Sequence, residues 1–196
     1  MAADDPFRLL LMCTANQCRS PMAQAVAGRL LFMRGVRSEV GSCGTLEGGM
    51  PATSGARRVA ARGGLDLSGH VSRRVTAEIL EPADLVLTME RRHLVAAADV
   101  DPAVVPRAFV LKELEELSSI VGPRAPHRSV SDWIAEAAAL RAPATVLTLD
   151  RRHDVPDPMG RSRREHQRVF DQIERSLSQI LSMLFPDVAS SWSELR

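Results

Sequence analysis

A cysteine and an arginine near the amino terminus have the spacing to work on an oxyanion. Cys13 is followed after five residues by Arg19, in the run Cys13-Thr14-Ala15-Asn16-Gln17-Cys18-Arg19-Ser20-Pro21. A thiolate is a strong nucleophile, and a guanidinium is a planar fork able to hold two oxygens of a tetrahedral anion. The intervening loop is long enough to circle such an anion and short enough to keep the sulfur at its base. Ser20, at the mouth of the loop, can donate a hydrogen bond to the thiolate. Far along the chain, His153-Asp154-Val155-Pro156-Asp157-Pro158-Met159 sets one carboxyl between two prolines. Prolines stiffen the backbone around Asp157, and a held carboxylic acid can protonate a leaving oxygen. Asp154 is the second candidate for that task and reads more readily as a turn residue.

This chemistry needs a strand to deliver the cysteine and a helix to receive the arginine. Phe7 to Met12 is almost continuously apolar, as in a strand covered on both faces of a parallel sheet. Ser20 reads as the N-cap of the next helix and Pro21 as its first residue. Met22, Val26, Leu30 and Met33 then fall at helical spacing, and Gly35 stops the helix. The N–H groups of residues 14 to 19 are left to turn inward, and with the helix terminus they form a cradle of partial positive charge. Such a field favours a thiolate at its base.

The rest of the chain alternates strand and helix. Strands are expected at Val36–Cys43, Asp84–Met89 and Arg107–Leu111. Helices are expected at Ala52–Arg62, Thr76–Leu80, Glu90–Ala97, Lys112–Ile120 and Ser162–Leu184. The last carries Val169, Ile173, Leu177, Ile180 and Leu184 on one stripe. Alternation of this kind implies an α/β fold, a single three-layer domain in which helices flank both faces of a four-stranded parallel sheet, with ligands at the carboxyl ends of the strands. Residues 1–6 and 186–196, the latter including Trp192, read as tails around a domain spanning 7–185.

Composition narrows the class. At 196 residues the chain can bury one sizeable core. A net charge of +1 provides no broad basic face, so no nucleic-acid partner is expected. No apolar run approaches bilayer length and the amino terminus does not resemble a signal peptide, so no membrane insertion is expected and a cytoplasmic location follows by default. Cys13, Cys18 and Cys43 suggest neither a disulfide framework nor a zinc site. With no tyrosine in the chain, control through phosphorylation of its own tyrosine is excluded.

Cys-x5-Arg-Ser between a strand and a helix is the phosphate-binding signature of protein tyrosine phosphatases. Asn16, Cys18 and Ser20-Pro21 make the loop resemble the low-molecular-weight protein tyrosine phosphatase family in particular. Ser42-Cys43-Gly44-Thr45, Asp66-Leu67-Ser68-Gly69-His70, the run Ala83 to Glu90, and His93 follow the same pattern. The resemblance implies a phosphomonoester hydrolase, most naturally acting on protein phosphotyrosine through a phosphocysteine intermediate and needing no metal or organic cofactor. By that match Cys13 is the nucleophile, Thr14 to Ser20 bind phosphate with Arg19 foremost, and Asp157 is the general acid and base. Asn16, Ser42 and His70 support the loop, with Ser20 in the same network, and Cys18 is a redox partner able to form a reversible disulfide with Cys13. His93, His127, His153 and His166 read as solvated side chains rather than ligands.

Three features depart from the family pattern. Ala15 stands where glycine is common, which matters if that position needs a positive φ. Leu46, Met50 and Met159 stand where the family walls its pocket with aromatics, so flexible apolar side chains replace a stacking surface. Residues 118–149 form an extra insertion with a helix over about 131–141, either a lid at the substrate mouth or a helical decoration; Thr145–Leu149 is apolar enough to pack. Two other functions compete: an arsenate reductase on the same fold using an external thiol, and a phosphate-binding module without catalysis. The absence of thiols after Cys43 argues against the kind of reductase that relays oxidation along its own chain.

Overall fold

The computed structural model describes residues 5–141 and 150–186. The expected packing of Thr145–Leu149 and the tail assigned to Trp192 fall outside them, as do residues 1–4.

Four parallel strands run in the order β2-β1-β3-β4: β1 Phe7–Cys13, β2 Ser38–Gly44, β3 Leu85–Thr88 and β4 Ala108–Val110. Around them lie α1 Arg19–Met33, α2 Ser54–Arg62, α3 Ala77–Leu80, α4 Arg91–Val100, α5 Leu111–Val121, α6 Val130–Ala139 and α7 Arg163–Leu184. Every expected strand and helix is present, with ends displaced by at most three residues. A 3-10 turn at Pro102–Arg107, which the periodicity did not signal, leads into β4.

The period-two alternation of β1 explains the layers. Phe7, Leu9, Leu11 and Cys13 face a core shared with α1, α2, α5, α6 and α7, whereas Leu10 and Met12 face a smaller core with α3, α4 and the 3-10 turn. A strand apolar on both faces is what two helical layers require. Helix α7 begins on a reciprocal cap: Ser162 Oγ accepts from Glu165 N and Glu165 Oε2 accepts from Ser162 N. Its stripe Val169, Ile173, Leu177, Ile180 and Leu184 is buried throughout, as expected.

Helix α1 differs from its sequence reading. It starts at Arg19 with Cys18 at the N-cap, so Pro21 lies inside the first turn and Ser20 is helical rather than a cap. Its buried stripe is Met22, Ala23, Val26, Ala27 and Leu31, while Met33 is exposed. The hydroxyl of Ser20 is drawn to the sulfur of Cys13 instead, at 3.0 Å.

The inserted helix α6 is capped by Ser129, whose Oγ accepts from Asp132 N at 3.0 Å. Trp133 is fully buried and donates from Nε1 to Gly122 O at 2.9 Å. The helix packs on α5 and the 3-10 turn, and Arg141 donates to Ala108 O and Val105 O at the amino end of β4. That is the sheet end opposite the cysteine loop.

Candidate active site

The loop after β1 is held from outside by its carbonyls. Thr14 O accepts from Thr45 N and Leu46 N at 2.7 and 3.1 Å, Asn16 O from His70 Nε2 at 2.6 Å, and Gln17 O from Thr53 N at 2.8 Å. In a trans peptide the N–H points opposite to the C=O. The N–H groups of Ala15, Gln17 and Cys18 therefore face into the loop, which is the arrangement that binds an anion. Gly44 permits this closeness: a Cβ there would lie 2.5 Å from Thr14 O and 2.8 Å from Asn16 N.

The positive φ sits at Asn16, at 52°, and not at Ala15. Asparagine tolerates that region because its short side chain can bond locally. Buried Asn16 donates from Nδ2 to Ser20 Oγ at 2.9 Å and to Ser42 Oγ at 2.8 Å, and its Oδ1 accepts from Arg73 N at 2.9 Å. Ser42 in turn donates to Gln24 Oε1 at 2.6 Å. Asn16, Ser20, Ser42 and His70 thus form one connected network behind the loop. Asn16 occupies a lone pair of Ser20, and the Ser20 hydroxyl proton can then go to the sulfur of Cys13 at 3.0 Å or to the longer acceptor Cys43 O at 3.4 Å.

Arg19 is almost fully buried and is fixed by Glu90, Val155 O and Asp157, with Thr14 Oγ1 a longer contact at 3.5 Å. Its Nη1 donates to Glu90 Oε1 at 2.5 Å and to Val155 O at 3.0 Å, and its Nη2 to Asp157 Oδ2 at 2.7 Å. Asp157 is half-exposed, and its Oδ1 accepts from Met159 N at 3.1 Å. Asp154 lies elsewhere: its Oδ1 accepts the N–H of Arg91 at 2.8 Å, pinning the acid loop to the start of α4. A second tie runs from Val155 N to Met89 O at 2.7 Å. Asp154 therefore positions the loop, and Asp157 is the carboxyl that reaches the site.

Sequence reasoning missed Glu90 and misplaced His93. Burial alone would push the Glu90 carboxyl up, but hydrogen bonds from Arg19 and Arg92 outweigh it and hold the group below the usual glutamate range. His93 is buried rather than solvated, and burial pushes it down to about 3 despite Glu90 nearby, so its ring is neutral. Thr14 Oγ1 lies 2.9 Å from His93 Nε2 and receives Arg92 Nη2 at 3.2 Å. The Thr14 hydroxyl thus links the neutral His93 ring to the Arg92 guanidinium. Position could have flagged Glu90, since it follows the buried strand β3 at the sheet end where the cysteine loop lies. His166 is buried too, His153 pairs with Glu116, and only His127 of the four is exposed as expected.

Cys18 and Cys43 are buried thiols that burial pushes up to about 12, Cys18 in spite of a hydrogen bond with Thr53. Both are neutral near pH 7, and all three cysteines are unbridged. Leu46, Met50 and Met159 are exposed. Among the described residues no cluster of His, Cys, Asp and Glu could hold a metal ion, and no helix is long and apolar enough to cross a membrane.

The model of the low molecular weight phosphotyrosine protein phosphatase family matches residues 8–119, more than half of the chain. The chain belongs to that family. Its curated relatives include the low molecular weight protein-tyrosine-phosphatase Etp of Escherichia coli K12, 35% identical over 115 residues, which are 59% of this chain and 76% of Etp. The corresponding phosphatase Wzb of Salmonella typhi is 26% identical over 172 residues, covering 88% of this chain and 90% of Wzb. Among solved structures, a YwlE arginine phosphatase mutant with a phosphorylated active site serine superposes with a TM-score of 0.68 at 26% identity, covering 93% of this chain and 99% of that one. The phosphatase is accordingly a hydrolase of phosphomonoesters built on the three-layer α/β fold of its relatives.

Proposed function

We propose that this phosphatase dephosphorylates protein phosphotyrosine in two displacements centred on Cys13. The Cys13 thiolate attacks phosphorus in line and an S–P bond forms as the bond to the leaving oxygen breaks. Asp157 gives its proton to that oxygen. Arg19 and the inward N–H groups of the loop hold the equatorial oxygens, whose charge is what catalysis must stabilise. Water then attacks the phosphocysteine, Asp157 takes the water's proton, and the S–P bond breaks to release phosphate. Ser20 donates to the sulfur as it leaves.

The observation that carries this reading is the meeting of the Cys13–Ser20 loop with a distant carboxyl. Cys13 meets Ser20 at 3.0 Å, and Arg19 meets Asp157, 138 positions away, at 2.7 Å. The Arg19–Asp157 ion pair describes the site before substrate. An arriving phosphate takes Arg19 as its partner and frees the carboxyl for proton transfer. Relatives named as protein-tyrosine phosphatases support the substrate class, and a phosphorylated nucleophile position in the YwlE structure is in keeping with a covalent step. The unbridged cysteines are in keeping with a cytoplasmic setting.

The test is turnover of p-nitrophenyl phosphate, a phosphotyrosyl peptide and a phosphoarginyl peptide by wild type and by Cys13→Ser. Turnover of the first two, lost in the variant, is expected. A strong preference for phosphoarginine would overturn the substrate class, and arsenate-dependent oxidation of an added thiol outpacing ester hydrolysis would overturn the reaction.

A further inference from the structure

Glu90 holds a second guanidinium besides that of Arg19. Its Oε2 accepts from Arg92 Nε at 2.8 Å and its Oε1 from Arg92 Nη2 at 3.0 Å, a bidentate dock on one carboxylate. Arg92 Nη2 also reaches Thr14 Oγ1, on the residue next to Cys13. The two arginines differ in exposure. The Arg19 side chain is 2% exposed and serves the phosphate site, whereas that of Arg92 is 55% exposed. Arg92 is therefore a cation fixed at the edge of the phosphate loop with its outer side in water. The two displacements described above make no use of it.

Fixing matters for recognition. A free surface arginine loses rotamer freedom when it pairs, which cancels most of the gain from an exposed ion pair. Arg92 is already restrained by Glu90 and Thr14 through Nε and Nη2, so an acceptor approaching Nη1 meets a preset donor. Other features at hand do not sort substrates by positive charge. Leu46, Met50 and Met159 are apolar, and Arg74 is paired with Glu47. Arg19 has Asp157 as a second carboxylate partner, so Glu90 and Asp157 together balance the two guanidiniums, and it is the outward Nη1 of Arg92 that offers an anion a donor.

We propose that Arg92 is a specificity-determining residue that selects phosphoprotein segments carrying a carboxylate beside the phosphorylated residue. The proposal rests on the phosphotyrosine reading and adds the chemistry of the flanking sequence. It also means that a basic flank is disfavoured.

The experiment uses three phosphotyrosyl peptides identical except for Asp, Asn or Arg next to the phosphotyrosine. The leaving group is the same in all, so ratios of kcat/KM report recognition. Wild type is expected to favour Asp over Asn by about fivefold and Asn over Arg by a similar factor, with both gaps closing in about 1 M salt. Arg92→Gln is expected to bring the ratios near one, and Arg92→Glu to invert them. Wild-type ratios of one, or a preference for Asp that survives in Arg92→Gln, would overturn the proposal. Hydrolysis of p-nitrophenyl phosphate, abolished in Cys13→Ser, tests the phosphatase reading separately. A protein that hydrolyses this ester and treats the three peptides alike defeats the role of Arg92 alone, whereas one that hydrolyses the ester and leaves all three untouched defeats the phosphotyrosine reading on which that role rests.

Discussion

Glu90 and His93 set the state of the groups that touch phosphate without touching it themselves. In Glu90→Gln the amide oxygen can accept from Arg19 but carries no charge, so the hold on Arg19 weakens and its other partners, Val155 O, Asp157 and Thr14 Oγ1, take a larger share. Breaking a buried pair from one side is costly, about 3–5 kcal/mol. The expected result is a lower melting temperature together with a kcat/KM for p-nitrophenyl phosphate reduced about tenfold or more and weaker inhibition by inorganic phosphate. Unchanged inhibition by phosphate would show that Arg19 keeps its place unaided. His93 makes a pH prediction. Its ring binds a proton only near pH 3 when folded, against an ordinary value of 6.5, so between those limits the unfolded chain binds the extra proton. Stability from this group is therefore complete above about pH 6.5 and is lost as pH falls toward 3, by at most about 1.4 kcal/mol per pH unit. Melting curves of wild type and His93→Gln between pH 7.5 and 5 should diverge in slope, with the variant flatter; parallel slopes would contradict a buried neutral imidazole. Asp157→Asn should cost about a hundredfold or more with poor leaving groups and far less with p-nitrophenolate, which departs without a proton. Equal losses on both would remove Asp157 from the role of acid.

At the scale of elements, the site is a meeting of strand ends. The close approach of β2 to the loop depends on Gly44, where a methyl group would run into backbone rather than into a movable side chain. Gly44→Ala is expected to weaken phosphate binding measurably by calorimetry and to lower thermal stability; a variant indistinguishable from wild type in both would show that the loop has room to shift. Much of this level was legible in the sequence. Phe7 to Met12 read as a two-faced buried strand, Ser162 marked the start of α7, and the five-residue gap from Cys13 to Arg19 marked the loop. What the sequence concealed arose from competition between local and tertiary partners. Ser20 has the chemistry of a cap, yet the sulfur and Asn16 claim its hydroxyl. The left-handed residue fell at Asn16 because that side chain is bonded on three sides. Glu90 looked like one more acidic residue opening a helix, because nothing local says that Arg19 and Arg92 will share it.

For the molecule as a whole, the two ends of the sheet have separate tasks. The carboxyl end carries Cys13, Arg19 and the acid loop, and the inserted helix α6 covers the far side near the start of β4. Trp133→Ala should therefore cost about 3–5 kcal/mol of stability while leaving kcat/KM for p-nitrophenyl phosphate within about twofold at temperatures where the variant stays folded. A large fall in activity with little loss of stability would instead make the insertion part of the substrate mouth. The insertion was visible in the sequence as a stretch outside the family pattern, with a helix marked by Ser129 and the spacing of Trp133, Ile134 and Ala137. Its side of the sheet was not visible, since an amphipathic helix has the same pattern wherever it packs.

The most direct test of the account is to trap the covalent intermediate. Asp157→Ala protein would be mixed with an activated aryl phosphate, quenched in acid within the first turnover, digested and examined by mass spectrometry. A phosphoryl group on the peptide that contains Cys13, absent when Cys13 is serine-substituted or when inorganic phosphate blocks the site, is the expected result. Hydrolysis that proceeds at the wild-type rate with no adduct on that peptide, or that survives Cys13→Ser, would contradict a mechanism through sulfur.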